Sequence, residues 1–72
     1  MNLRDNLAAN LTRIRAEREL SQDDFAAVIG IHRTYLNHLE HRKRAPTIDV
    51  IERMMFALDV PITALLGKPP KK

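Results

Sequence analysis

Apolar residues recur at the start of the chain at Leu3, Leu7, Leu11 and Ile14, in steps of four, four and three, with polar residues between them. That spacing lines the four side chains along one stripe and predicts an amphipathic helix from about Asn2 to Arg18. Ser21 then precedes Gln22, Asp23 and Asp24. Its hydroxyl can accept the free backbone N–H of Asp24, and early acids suit the positive end of a helix, which predicts a second helix from about Gln22 to Ile29. Gly30 closes it, because glycine takes the left-handed backbone of a sharp helix end without a Cβ clash. A third helix is predicted from about Arg33 to His41. Ala45 and Pro46 interrupt the pattern, Thr47 is placed to cap a fourth helix, and Val50, Ile51, Met54, Met55 and Leu58 share its apolar face. Asp59, Val60 and Pro61 end that helix, and Ile62 to Leu66 make a short fifth one closed by Gly67. No stretch alternates as a strand and no segment repeats. The expected fold class is all-α, a single domain over residues 1–67 followed by a flexible basic tail at 68–72.

Size narrows the reading. Seventy-two residues make one domain, so any sensing or pairing device has to be built into the same fold. A domain this small buries only about 60% of the surface its unfolded chain exposes. It has no cysteine to staple it, so association with a second copy would add useful burial. Absence of cysteine fits a reducing compartment. No apolar run approaches the roughly 20 residues that span a bilayer, and Asn2, Arg4, Asp5 and Asn6 break up any signal-peptide core. A soluble, cytoplasmic protein without a membrane partner is expected.

Charge placement matters more than the net value of +3. Between His32 and Arg44 stand Arg33, Arg42, Lys43 and Arg44 against Glu40 alone, and the rest of the chain balances eight basic against eight acidic residues. The whole excess thus lies in one window, together with all three histidines. Such a patch suits a polyanionic partner; an ordinary solvated face remains the alternative on charge alone. At about 100° per residue, Arg33, Thr34, Asn37, His38 and His41 fall on one side of the third helix, with Leu36 and Leu39 opposite. Arginine can donate two bonds to guanine, asparagine can pair with adenine, and threonine offers a methyl and a hydroxyl, so this side matches the edges of bases in a major groove.

Other chemistry finds little support. His38 and His41 stand one helical turn apart and His32 is nearby, but a structural zinc takes four ligands, commonly with thiolates, and no metal site is expected. Ser21 is accounted for as a helix cap, the acids are scattered or lie near helix starts, and no glycine-rich loop could cradle phosphate. Neither catalytic residues, nor a cofactor, nor a small-molecule ligand is expected. Met54, Met55 and Phe56 at helical spacing fit core or subunit contact better than a promiscuous groove.

The run from Leu20 to Glu40, Leu-Ser-Gln-Asp-Asp-Phe-Ala-Ala-Val-Ile-Gly-Ile-His-Arg-Thr-Tyr-Leu-Asn-His-Leu-Glu, resembles the helix-turn-helix of the Xre/Cro-like family. That family includes lambdoid phage repressors and the small controller proteins of restriction–modification systems. Ala26 is small where two helices would cross, Gly30 sits at the turn, and Ile29, Leu36 and Leu39 would lock the second and third helices to the rest. The resemblance continues through Pro46 and the Ala57-Leu58-Asp59-Val60-Pro61 corner to Gly67. It implies a compact five-helix, lambda-repressor-like domain that regulates transcription as a homodimer on double-stranded DNA. By position it assigns base contacts to Arg33, Thr34, Asn37 and His38. Phosphate contacts fall to Gln22, Lys43 and Arg44, with Arg42 and His41 beside them, and a structural ion pair falls to Arg15 and Glu40. His32 stands where the family has a serine or threonine cap, and a phosphate contact is expected for it. Glu19 and Arg42 stand where glycine is common, so those loops are expected to be reshaped. Phe56, Val60, Pro61, Ile62 and Leu65 are the expected dimer contacts, and paired recognition helices about 34 Å apart would read a pseudo-palindrome. The rival expectation is a helix-turn-helix used as a protein-interaction module, a coactivator or antitoxin-like partner with weak DNA binding.

Overall fold

The computed structural model describes residues 2–70. Among them the chain forms five helices and no strand: α1 (Leu3–Glu17), α2 (Gln22–Ile29), α3 (Arg33–Glu40), α4 (Ile48–Leu58) and α5 (Ile62–Leu66). Four of these helices start on side-chain caps that satisfy a backbone N–H left free in the first turn, α3 on the His32 ring and the other three on side-chain oxygens. Asn2 Oδ1 accepts from Asp5 N at 2.9 Å, Ser21 Oγ from Asp24 N at 3.1 Å, and Thr47 Oγ1 from Val50 N at 3.2 Å. Gly30 ends α2 with φ of 86°.

Three corners are left-handed without glycine: Glu19, Arg42 and Asp59, at φ of 55°, 61° and 55°. The expected reshaping at Glu19 and Arg42 does not occur. The backbone bonds explain why. Leu20 N donates to Arg15 O at 3.2 Å and Glu19 N to Ala16 O at 3.1 Å; Lys43 N donates to His38 O at 2.9 Å and Arg42 N to Leu39 O at 3.3 Å. Each pair closes a helix end that would otherwise leave carbonyls unpaired, and that gain offsets the roughly 1–2 kcal/mol penalty of a left-handed residue bearing a Cβ.

The core draws on every helix: Leu7, Leu11 and Ile14 from α1, Phe25, Ala26 and Ile29 from α2, Leu36 and Leu39 from α3, Ile51, Met54 and Leu58 from α4, and Leu65 from α5. Leu3, the first member of the predicted stripe, is exposed, so the buried face of α1 begins one turn later. Helix α1 packs against both α3 and α5, α2 against α3 and α4, and α4 against α5.

A five-residue helix has no independent stability. Buried Asn10 supports α5 by donating from Nδ2 to Leu65 O at 2.8 Å and to Gly67 O at 2.9 Å, while Asn6 Nδ2 reaches Leu66 O at 3.0 Å. Gly67 is required for space, because a Cβ there would run into the Thr63 carbonyl oxygen. Leu65, expected at a subunit contact, is fully buried in the core and has no surface to offer a partner. Lys68 to Pro70 follow without regular structure, and Lys71 and Lys72 of the expected tail lie outside the described residues. No helix among the described residues is long and apolar enough to cross a membrane.

Candidate nucleic-acid interface

The sequence Arg33-Thr34-Tyr35-Leu36-Asn37-His38-Leu39-Glu40 makes α3 two-sided. Leu36 and Leu39 are fully buried and fix its rotation, which leaves Arg33 and Thr34 exposed and Asn37 and His38 half-buried along the opposite edge. The turn before it is held from α4, where Arg53 Nη1 donates to Gly30 O at 2.8 Å. His32 is the N-cap of α3: Thr34 N donates to His32 Nδ1 at 3.1 Å. A ring nitrogen can accept only while unprotonated, so this arrangement needs a neutral imidazole with its proton on Nε2. Nδ1 is thus committed to the cap, and the exposed Nε2–H is the group left to donate to the phosphate expected for His32.

Arg15 and Glu40 form a bidentate pair, Nε to Oε2 at 2.9 Å and Nη2 to Oε1 at 3.1 Å, with the Glu40 side chain only 4% exposed and that of Arg15 25%. The same carboxylate accepts from Gln22 Nε2 at 3.1 Å, and Gln22 Oε1 accepts a longer bond from Asn37 Nδ2 at 3.4 Å. Both ends of the Gln22 amide are thus bonded within the protein, and for the phosphate contact expected at Gln22 the start of α2 offers free backbone N–H groups. On the other side Arg33 Nε lies 2.9 Å from Asp23 Oδ1. Gln22, Arg33, Thr34 and Asn37 enclose an open recess of about 280 Å³.

Beyond α3 stand the cations of the loop. Arg42 Nε lies 3.4 Å from Asp5 Oδ1, Lys43 is exposed, and the Arg44 guanidinium sits 5.3 Å from the centre of the Tyr35 ring. Stacking of that kind orients a cation without neutralising it. His41 Nδ1 donates to Asn37 O at 2.8 Å, which leaves its Nε2 facing solvent.

A second surface lies on α4 and the corner after it. Phe56 is 81% exposed, with Pro61 and Ile62 exposed and Val60 half-buried beside it. Sequence reasoning missed Ile48, 85% exposed at the start of α4; an isoleucine directly after the cap, off the core-facing stripe, was the available signal. Ile48, Phe56, Val60 and Ile62 edge a groove of about 380 Å³ that Ile51 and Met55 also line.

A solvated edge on a helix that follows its predecessor through the Gly30 turn, flanked by the cations of the next loop, is the build of a helix-turn-helix. A family model described as "Helix-turn-helix" matches residues 11–65. The chain belongs to this helix-turn-helix family of DNA-binding transcriptional regulators, of the Xre/Cro-like kind. It is similar to the control protein C.SmaI of Serratia marcescens, 32% identical over 68 residues that cover 94% of this chain and 81% of that one. Among solved structures it resembles the hypothetical transcription factor NHTF from Neisseria, at 34% identity and a TM-score of 0.86, over 94% of this chain and 78% of that one. It also resembles the restriction–modification controller protein C.Esp1396I, solved as a tetramer in complex with its natural 35 base-pair operator. There the identity is 30% and the TM-score 0.73, over 82% of this chain and 78% of that one.

Proposed function

We propose that this chain acts in the cytoplasm as a homodimeric regulator of the restriction–modification controller kind, reading a pseudo-palindromic operator with α3 of each subunit. The observation that carries this reading is the edge of α3. Arg33, Thr34, Asn37 and His38 are presented together over a buried Leu36–Leu39 side, next to a row of cations. Arg33, Thr34, Asn37 and His38 contact bases; His41, Arg42, Lys43, Arg44 and the backbone N–H groups at the start of α2 contact phosphates. The apolar surface of Ile48, Met55, Phe56, Val60, Pro61 and Ile62 joins the two subunits. Each subunit measures 27 × 24 × 21 Å, so two side by side bring their recognition helices to the scale of one duplex turn, about 34 Å. The likeness to C.SmaI and C.Esp1396I supports the controller subclass.

Selection from random duplexes at near-physiological salt, followed by footprinting of the winning sequence, tests the proposal. A symmetric protected site is the expected result. Protein with no preference among duplexes, whose cationic face tolerates substitution, would instead mark the fold as a protein-interaction module.

A further inference from the structure

The first two residues of α2 each hold one residue of the reading edge: Gln22 holds Asn37, and Asp23 holds Arg33. We propose that Asp23 is a positioning residue that sets how Arg33 approaches a base pair, an inference that rests on the proposed function above. The contact is made at Arg33 Nε, 2.9 Å from Asp23 Oδ1. A guanidinium carries five N–H groups, and Nε holds only one of them. The ion pair lies at the Nε side of the guanidinium, so the two terminal nitrogens remain free to donate side by side, which is the fork that reads O6 and N7 of guanine.

The strength of the pair fits this role and not that of a lock. Its side chains are 62% and 73% exposed; pairs of that kind contribute little to stability, so DNA can recruit Arg33 without first breaking a strong contact. What the pair removes is freedom. A long arginine side chain loses rotamer entropy when it docks, and one already held by a neighbouring helix has less to lose. The recess between Gln22, Arg33, Thr34 and Asn37 is thus bordered on both sides by reading groups held from α2. The carboxylate has an opposite effect on everything else, because a negative charge beside the groove repels phosphate. Asp23 therefore lowers affinity for arbitrary DNA while raising selectivity at one base pair.

The experiment measures the equilibrium affinity of the full chain for the selected duplex and for single-base variants of it, at fixed salt. It compares wild type, Arg33→Ala, Asp23→Ala, Asp23→Asn and the Asp23→Ala/Arg33→Ala double variant. The base pair at which Arg33→Ala flattens preference identifies the position read. At that base pair Asp23→Ala is expected to reduce preference about fivefold, the lower end of what one bidentate contact supplies. Affinity for random duplex should rise, preference at other positions should hold, and in the Arg33→Ala background the Asp23 change should have no effect on preference. Asp23→Asn, which keeps the shape and an acceptor oxygen, should fall between; it is read in the same way if the alanine variant folds poorly. Preference intact in both Asp23 variants, with all duplexes bound more tightly by one common factor, would overturn the inference and leave the proposed function standing. A wild-type protein without sequence preference would overturn both.

Discussion

At the scale of single residues, base reading and phosphate clamping make separable demands on the same helix and loop. Arg33→Ala should cost about 1–3 kcal/mol on a cognate site and relax preference there, whereas equal losses on random DNA would remove Arg33 from the reading set. Lys43→Ala should weaken cognate and random duplexes alike and lower the slope of log affinity against log salt by about 1, measured by titration across ionic strength. The Arg15–Glu40 pair makes a different demand. Removing Arg15 leaves a carboxylate that is 4% exposed with the neutral Gln22 amide and no cation beside it, while removing Glu40 leaves a guanidinium 25% exposed and still bonded to Leu20 O. Arg15→Ala should therefore be the costlier change, about 3 kcal/mol in urea melts, with Glu40→Ala measurably milder. The residue types on the edge of α3 were legible because a 3.6-residue period separates Leu36 and Leu39 from Arg33, Thr34 and Asn37. Their supports were not. Asp23 meets Arg33 across the turn, and Gln22 meets both Glu40 and Asn37, through contacts between helices that no local period encodes.

At the scale of elements, helix starts followed from local chemistry, since Ser21 and Thr47 cap bonds only three residues away. Helix ends were harder to read. Gly30 announced its corner, but Glu19, Arg42 and Asp59 adopt the same backbone handedness against their side-chain preference. The closing bonds at each corner override that preference, and they belong to the backbone, which is the same in every sequence. Relief of this strain gives a test. Glu19→Gly should raise stability by about 0.5–1 kcal/mol, the left-handed penalty less the greater unfolded-state entropy of glycine. Arg42→Gly should stabilise by a similar amount in the same melts yet weaken DNA binding, because it deletes a cation proposed to contact phosphate. Loss of stability in both variants would show that the corners are not strained.

At the scale of the whole molecule, the exposed apolar surface around Phe56 and Ile48 is the feature that a single domain leaves unresolved. Phe56→Asp should weaken self-association by about 2 kcal/mol or more, seen by sedimentation equilibrium, with little change in the fold of each subunit, because the ring touches solvent and not the core. Operator affinity should fall with it. Unchanged association would move the subunit contact elsewhere. Part of this surface was legible as apolar residues at the α4–α5 corner. Leu65 was assigned to it wrongly, since α5 is so short that its one inward position cannot be told from its outward ones by periodicity.

Asn10 ties the end of α5 to the middle of α1, and α1 also backs α3. The proposed pairing surface and the proposed reading edge are thereby braced against the same helix. Such a dimer is a ruler of set length: one extra base pair at the operator's centre turns the far half-site by about 34° and shifts it by about 3.4 Å. Binding to that lengthened duplex should collapse toward the affinity of a lone half-site, whatever bases the insertion contains.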